Sequence, residues 1–131
     1  MGQHTWFYKS KDKYYEAEKL YDKLDKYENG LIGLDATELF QIEAQADDIE
    51  DENDASEYHD IFRTSKRTAN GAYTNDVLTS LSETLEWISN EENLVYYGIP
   101  NDGNNDEKKK YAIKRIHDFW DKYPEGLIGF G

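Results

Sequence analysis

Apolar residues recur every three or four positions in four stretches of the chain, which is the spacing of amphipathic helices. The stretches fall within residues 11–27, 36–54, 80–90 and 106–123. We therefore predict four helices. Their apolar stripes are Ala17, Leu20, Leu24 and Tyr27; Leu39, Ile42, Ala46 and Ile49; Leu81, Leu85 and Ile88; and Ala112, Ile116, Phe119 and Tyr123.

Residues that cap helices flank three of these ends. Asp35 followed by Glu38 has the spacing of a capping box, and so has Ser80 followed by Glu83. Gly30 follows the first stretch, where a glycine in the left-handed conformation commonly ends a helix. These signals predict two helix starts and one helix end.

Short apolar or aromatic segments separate the helices and are typical of strands. The Asn70-Gly71 pair predicts a hairpin between residues 58–62 and 72–75. The element order β-α-β-α-β-β-α-β-α-β predicts one α+β domain over residues 1–131, with a mixed or antiparallel sheet and helices on one face. The predicted strands are residues 4–8, 31–34, 58–62, 72–75, 93–99 and the apolar residues after Gly126.

Two nearly identical phrases occur in the chain: "DKYENGLIGLD" ends at Asp35, and "DKYPEGLIGFG" ends at the last residue. Aligned 96 positions apart, the match extends backwards through the preceding helix. We interpret it as a repeated helix–Gly turn–strand unit at about 13–34 and 109–130. A phosphate loop is disfavoured, because such a loop places glycine before a helix, whereas Gly30 and Gly126 follow one.

Acidic residues are concentrated in one part of this chain of net charge -13. Between Lys26 and Arg63 there are 12 Asp and Glu residues and no Lys or Arg. This charge repels nucleic acid and anionic membranes and attracts basic surfaces. The chain has no cysteine, which excludes disulfides and thiolate chemistry, and no apolar run long enough to span a bilayer, so we expect a soluble protein.

The acidic segment offers a candidate partner-binding surface on the second predicted helix. Carboxylates three or four residues apart on a helix lie about 5–6 Å apart, close to the spacing of backbone phosphates. The negative charges of such a row therefore resemble those of a nucleic-acid backbone, to which a basic protein surface binds. The alternative is a solvated helix face. The candidate residues are Glu43, Asp47, Glu50, Asp51 and Asp54.

Two histidines in predicted strands suggest a metal site as an alternative function. His4 and His59, with the acidic neighbours Glu57 and Asp60, have the donor types that zinc or iron uses. No local ligand motif such as HExxH is present. The other interpretation is that both imidazoles are half-buried and hydrogen-bonded to neighbouring strands.

A third interpretation rests on a basic cluster that follows the acidic segment. Arg63, Lys66 and Arg67 are suited to holding a phosphate, so the chain could sequester a small nucleotide. The same cluster is also suited to pairing with the acidic helix that precedes it.

Four segments carry a resemblance: "HTWF", "YHDIFRTSKR", "GAYT" and the closing "FWDKYPEGLIGFG". Together they resemble small acidic proteins encoded by tailed phages and prophages of gut bacteria. The resemblance spans nearly the whole chain and brings no activity or site residues with it. It implies a phage accessory or counter-defence protein that inhibits or sequesters a host factor in the host cytoplasm.

We therefore expect a binding protein without catalytic activity or cofactor. Its expected partner is a basic surface of a host protein, and we expect no direct contact with nucleic acid or membrane. The alternatives that stay open are a small enzyme dependent on a divalent metal at the histidines and a nucleotide-sequestering protein using residues 63–67.

Overall fold

The computed structural model describes residues 3–59, 62–64, 71–76, 78–90, 94–96 and 105–130. Within these ranges it contains four helices and five strands, which confirms the α+β class. None of the described helices has the length and apolar composition needed to cross a membrane. The elements are β1 (Gln3–Tyr8), α1 (Lys11–Glu28), α2 (Ala36–Asn53), a 3-10 turn (Ser56–Tyr58), β2 (Phe62–Thr64), β3 (Gly71–Thr74), α3 (Leu78–Ser89), β4 (Leu94–Tyr96), α4 (Asn105–Lys122) and β5 (Leu127–Phe130).

The chain divides into two compact units. Residues 10–54 contain α1 and α2, and we call them the acidic hairpin. Residues 1–9 and 55–131 contain the remaining elements, and we call them the sheet unit. The single domain over residues 1–131 stays a prediction, and each unit is described by itself.

The five strands of the sheet unit lie in the order β3-β5-β1-β2-β4, and every neighbouring pair is antiparallel. β1 is the central strand. It pairs with β5 from Thr5 to Tyr8, and with β2 through Gln3 and His4. The antiparallel alternative of the predicted sheet is therefore the one that forms.

The core of the sheet unit is rich in aromatic rings. Phe7 of β1 and Phe119 of α4 are fully buried and meet edge to face, with ring centroids 4.9 Å apart. Tyr58 packs on the same Phe119 ring at 5.3 Å. Edge-to-face contacts of this kind stabilise a core beyond the area that they bury. The α4 stripe predicted from Ala112, Ile116 and Phe119 is confirmed, because all three are buried.

Two strand predictions are wrong. Residues 31–34 form bends and irregular backbone, and no described strand pairs with them. Residues 58–62 are not one strand either, because Tyr58 closes a 3-10 turn and β2 begins at Phe62, while residues 60 and 61 lie outside the described part. At residues 31–34 an apolar segment has the composition of a strand, but no described strand pairs with it.

The predicted β-hairpin around Asn70 is also wrong. β3 pairs with β5, whereas β2 pairs with β1 and β4. The turn residues 65–70 lie outside the described part. A turn signal is local, whereas the partner of a strand depends on which backbones meet in the whole sheet, and β3 meets β5 from Gly71 to Thr74.

The helix caps agree with prediction at two of three positions. The Asp35 carboxylate accepts a hydrogen bond of 2.8 Å from the Glu38 amide, so it caps α2. This amide hydrogen bond lowers the pKa of Asp35. Gly30 has φ +73°, and the amides of Gly30 and Leu31 bond back to the last turn of α1 in a Schellman motif. Ser80 is not an N-cap, because α3 begins two residues earlier at Leu78.

The repeated helix–Gly turn–strand unit is not confirmed. α1 and α4 match, since each contains 18 residues, but only the second copy continues into a strand, β5. The glycines differ as well, because Gly30 has positive φ and Gly126 does not.

Candidate functional site

The acidic hairpin is closed at its base by one buried amide. Asn53, which is 3% exposed, accepts a hydrogen bond of 2.8 Å from the Ser10 amide and donates one of 3.1 Å to the Ser10 carbonyl. These two bonds hold the start of α1 beside the end of α2. The helices are therefore antiparallel, and their register is fixed.

Small and apolar side chains fill the space between the two helices. Ala17 of α1 and Ala46 of α2 are buried, and Ile42 and Ile49 are half-buried. Short side chains at such positions allow helices to pack closely. Because the apolar stripe of α2 faces α1, most of its carboxylates are left on the surface.

The charge of the acidic hairpin is very uneven. Its 45 residues contain fifteen Asp and Glu and five Lys, a net charge of -10, which leaves -3 for the rest of the chain. All five lysines lie on α1, where Lys26 pairs with Asp22 at 3.1 Å within the same helix. α2 has no basic residue. The hairpin therefore presents a strongly negative field along α2.

Four carboxylates surround one cleft of about 380 Å³ on this hairpin. We call it the acidic cleft. No basic side chain lines it. Its lining residues are Tyr21, Leu24, Asp25, Glu28, Glu43 and Asp47.

Tyr21 organises the carboxylates at one side of the acidic cleft. Its hydroxyl lies 2.7 Å from Glu50 Oε2 and 3.0 Å from Asp47 Oδ1, so one proton is shared between two carboxylates. Hydrogen bonding to Glu50 is the largest cause that raises the pKa of Tyr21. The hydroxyl thus stays protonated and holds two negative groups close together, which favours binding of a cation there.

Tyr21 was not identified from the sequence as part of the candidate surface. Its partners lie 26 and 29 residues away, and they meet it because of the antiparallel register set at Ser10 and Asn53. The helical periodicity of α2 would predict these contacts of Tyr21 only once the register of the two helices is known.

The predicted partner-binding residues separate into two groups. Glu43, Asp47 and Asp51 are exposed, and the first two line the acidic cleft. Glu50 is half-buried under Tyr21, and Asp54 is half-buried just beyond the last residue of α2. The row of exposed carboxylates therefore ends at Asp51, earlier than the sequence predicts.

The sheet unit contains a second cleft, of about 450 Å³. It offers two carboxylates, those of Glu83 and Glu86 on α3, where the acidic cleft offers four. Burial raises the pKa of Tyr73 in its wall, and Glu83 adds to this effect. The two clefts differ in charge more than in size. The lining residues are Tyr73, Glu83, Glu86, Trp87 and Asn90.

The described part of the predicted metal site is engaged in other contacts. His59 Nε2 lies 3.1 Å from the Phe7 carbonyl oxygen, as expected for a half-buried histidine bonded to a strand. The Glu57 carboxylate accepts hydrogen bonds of 3.2 Å from Lys122 and from Tyr123, and the Lys122 ammonium lowers the pKa of Glu57. Among the described residues, no group of three His, Asp or Glu side chains could hold a metal ion.

Other members of the metal and nucleotide hypotheses lie largely outside the described residues. The backbones of His4 and Arg63 are paired across β1 and β2, and their side chains are outside the described part. Asp60, Lys66 and Arg67 are outside it entirely.

Comparisons with protein-family models, with curated proteins and with solved structures found no match. The function is therefore argued from the geometry and charge of the chain itself.

Proposed function

We propose that the protein is a non-enzymatic binding protein whose acidic hairpin occupies a basic surface of a host protein. The observation that carries this proposal is the net charge of -10 on a 45-residue hairpin whose second helix has no basic residue. The carboxylates around the acidic cleft are the contact groups, and Tyr21 positions one of them, Asp47, together with the neighbouring Glu50 before the partner arrives.

Electrostatics supports a basic protein over other partners. A field of this strength accelerates association with a Lys- or Arg-rich surface and is weakened by salt. Surfaces of that kind commonly bind nucleic-acid phosphates, and helix-borne carboxylates have a similar spacing. We infer that the hairpin competes with nucleic acid for its partner. The resemblance to phage proteins supports an inhibitor that acts in the cytoplasm of a host cell.

The metal-dependent and nucleotide-binding alternatives have weaker support. His59 and Glu57 already have hydrogen-bond partners within the chain. Metal analysis of the purified protein and mass spectrometry of copurified small molecules test these two alternatives directly.

Neutralising the acidic cleft tests the proposal. The variant Glu43→Gln with Asp47→Asn removes two exposed charges. We expect it to weaken binding of a Lys/Arg-rich peptide roughly fivefold at low salt, since exposed ion pairs contribute about 0.2–1 kcal/mol each. Fluorescence anisotropy over a series of salt concentrations provides the measurement.

A matched control comes from the second cleft, because Glu83→Gln with Glu86→Gln makes the same change in net charge. We expect the control to keep nearly wild-type affinity. A host protein that is retained by the wild type and by the control, retained less by the acidic-cleft variant and displaced by DNA supports the proposal. Equal weakening in both variants would show that binding follows net charge alone, and it would overturn the proposal.

A further inference from the structure

The end of the acidic hairpin where its helices are joined exposes large apolar side chains. Leu31 and Phe40 are each 71% exposed, and Ile32 is 37% exposed. Leu31 and Ile32 lie in the connection, and Phe40 lies near the start of α2. We call these three residues the tip patch. Single exposed apolar residues are ordinary, whereas three within ten positions at one end of a structure indicate a contact surface.

Phe40 lies on the same face of α2 as the exposed carboxylates. Glu43, Asp47 and Asp51 follow it by three, seven and eleven residues, and these intervals bring side chains to one side of a helix. All four residues are exposed. This face therefore begins with an aromatic ring and continues as a line of negative charges.

The Schellman motif explains why Leu31 stays uncovered. In this motif the residue after the left-handed glycine usually packs on an apolar side chain in the last helical turn. Here that residue is Leu31, and the helix position that its amide bonds to is Lys26. The lysine pairs with Asp22 instead, so Leu31 has no apolar neighbour at that position.

We propose that the tip patch is the apolar anchor of the interface, and that its partner segment carries a large apolar side chain at one end of a run of Lys and Arg residues. The proposal rests on the proposed function, because the carboxylates of α2 attract the basic run. Exposed ion pairs add little affinity, whereas burying an apolar side chain adds more. The anchor thus supplies affinity, and the carboxylates supply rate and register.

Charge argues against a second copy of this chain as the occupant. Two acidic hairpins of net charge -10 each would repel when their tips meet. A basic segment relieves this repulsion, and its apolar end covers the tip patch.

Two synthetic peptides test the anchor. Both contain the same Lys/Arg run, and one ends in Leu-Trp where the other ends in Ser-Ser. We expect the wild type to bind the apolar-ended peptide about tenfold more tightly, and Phe40→Ser to remove that preference. The affinity of Phe40→Ser should fall with salt concentration as steeply as that of the wild type, because salt screens charges and Phe40 carries none.

Tyr15→Ser is the matched control, since Tyr15 is also an exposed aromatic residue of the hairpin, at 48%. It should leave the preference intact. If Phe40→Ser retains the preference while Glu43→Gln with Asp47→Asn still weakens both peptides, the anchor is wrong and the proposed function survives. If neither peptide binds the wild type at low salt, both are wrong.

Sedimentation of the free protein distinguishes a second copy. We expect the same monomeric mass for the wild type and Phe40→Ser at high salt, where repulsion is screened. An oligomer that Phe40→Ser dissolves would overturn the proposal in favour of self-association.

Discussion

The two copies of one phrase have different environments in the same molecule. In the second copy, Leu127 and Ile128 are fully buried in β5. In the first copy, the equivalent Leu31 is 71% exposed, and no described strand pairs with its segment. The same three residues, Leu-Ile-Gly, belong to a core strand in one place and to an uncovered connection in the other.

A segment with a strand-like sequence forms a strand only where another strand can pair with its backbone. β5 lies between β1 and β3, so its backbone hydrogen bonds on both sides are satisfied. In the first copy, the capping Asp35 comes four residues after Leu31 and commits the chain to α2. Local sequence therefore set the helix and the turn in both copies, and the surroundings decided what followed.

The largest expected effect compares the leucines of the two copies. Leu127→Ala should lower the free energy of unfolding by about 2–5 kcal/mol, because it leaves a cavity among buried residues. Leu31→Ala should change it by less than about 0.5 kcal/mol, because the side chain is already in water. Urea unfolding of both variants measures the contrast. Similar losses in the two variants would mean that Leu31 is covered.

The second contrast compares one glycine from each copy. A Cβ at Gly126 would lie 2.6 Å from Phe119 Cζ and 2.8 Å from the Tyr123 carbonyl oxygen, whereas a Cβ at Gly33 would have nothing within 4 Å. Gly126→Ala should therefore cost about 1–3 kcal/mol by overpacking. Gly33→Ala should stay within about 0.5 kcal/mol. Thermal unfolding of both variants at one protein concentration measures this contrast. A Gly126→Ala variant as stable as the wild type would contradict the close packing of Gly126 against Phe119 and Tyr123.

The smallest effect concerns the lysines of the two copies. Lys122 bonds to Glu57, which is far away in sequence, whereas Lys26 bonds to Asp22 in its own helix. Glu57→Gln should lower Tm slightly at pH 7, and Asp22→Asn should lower it less, because Glu57 also accepts a hydrogen bond from Tyr123.

The effect of Glu57→Gln on Tm should depend on pH, and the lowered pKa of Glu57 predicts the direction of that dependence. The pKa of Glu57 is lowered from its ordinary value of 4.5, so its stabilising effect is present above that pH and is lost as the pH falls below it. The difference in Tm between the wild type and Glu57→Gln should therefore be largest near neutral pH and disappear in acid. A difference that persists at low pH would refute the ion pair as its cause.

The sequence predicted those features that depend on near neighbours. Helix stripes such as Ala112, Ile116 and Phe119 follow a local period, and the Asp35 cap and the Gly30 turn are local signals. The concentration of charge on α2 was visible from composition. The predicted helices were therefore confirmed, and errors at their ends were small.

Features that depend on distant neighbours were not predictable in this way. The pairing of β3 with β5 and the exposure of Leu31 depend on which segments meet in three dimensions. The contacts of Tyr21 with Asp47 and Glu50 depend on the register of two helices. The candidate surface was thus predicted as a set of charges, and its organisation by a tyrosine was not.

The Asn53 amide has one more consequence. It closes residues 10–54 at their own base, and the Ala55 amide independently donates a hydrogen bond of 3.0 Å to the Phe7 carbonyl in the sheet unit. Each unit therefore has its own hydrogen bonds next to the two places where the chain passes from one unit to the other. Residues 10–54 could therefore be replaced by a segment of different length or charge. The entropic cost of closing the chain at this position would change little, because it grows slowly with loop length. The acidic hairpin and the sheet unit can then change in sequence independently of each other.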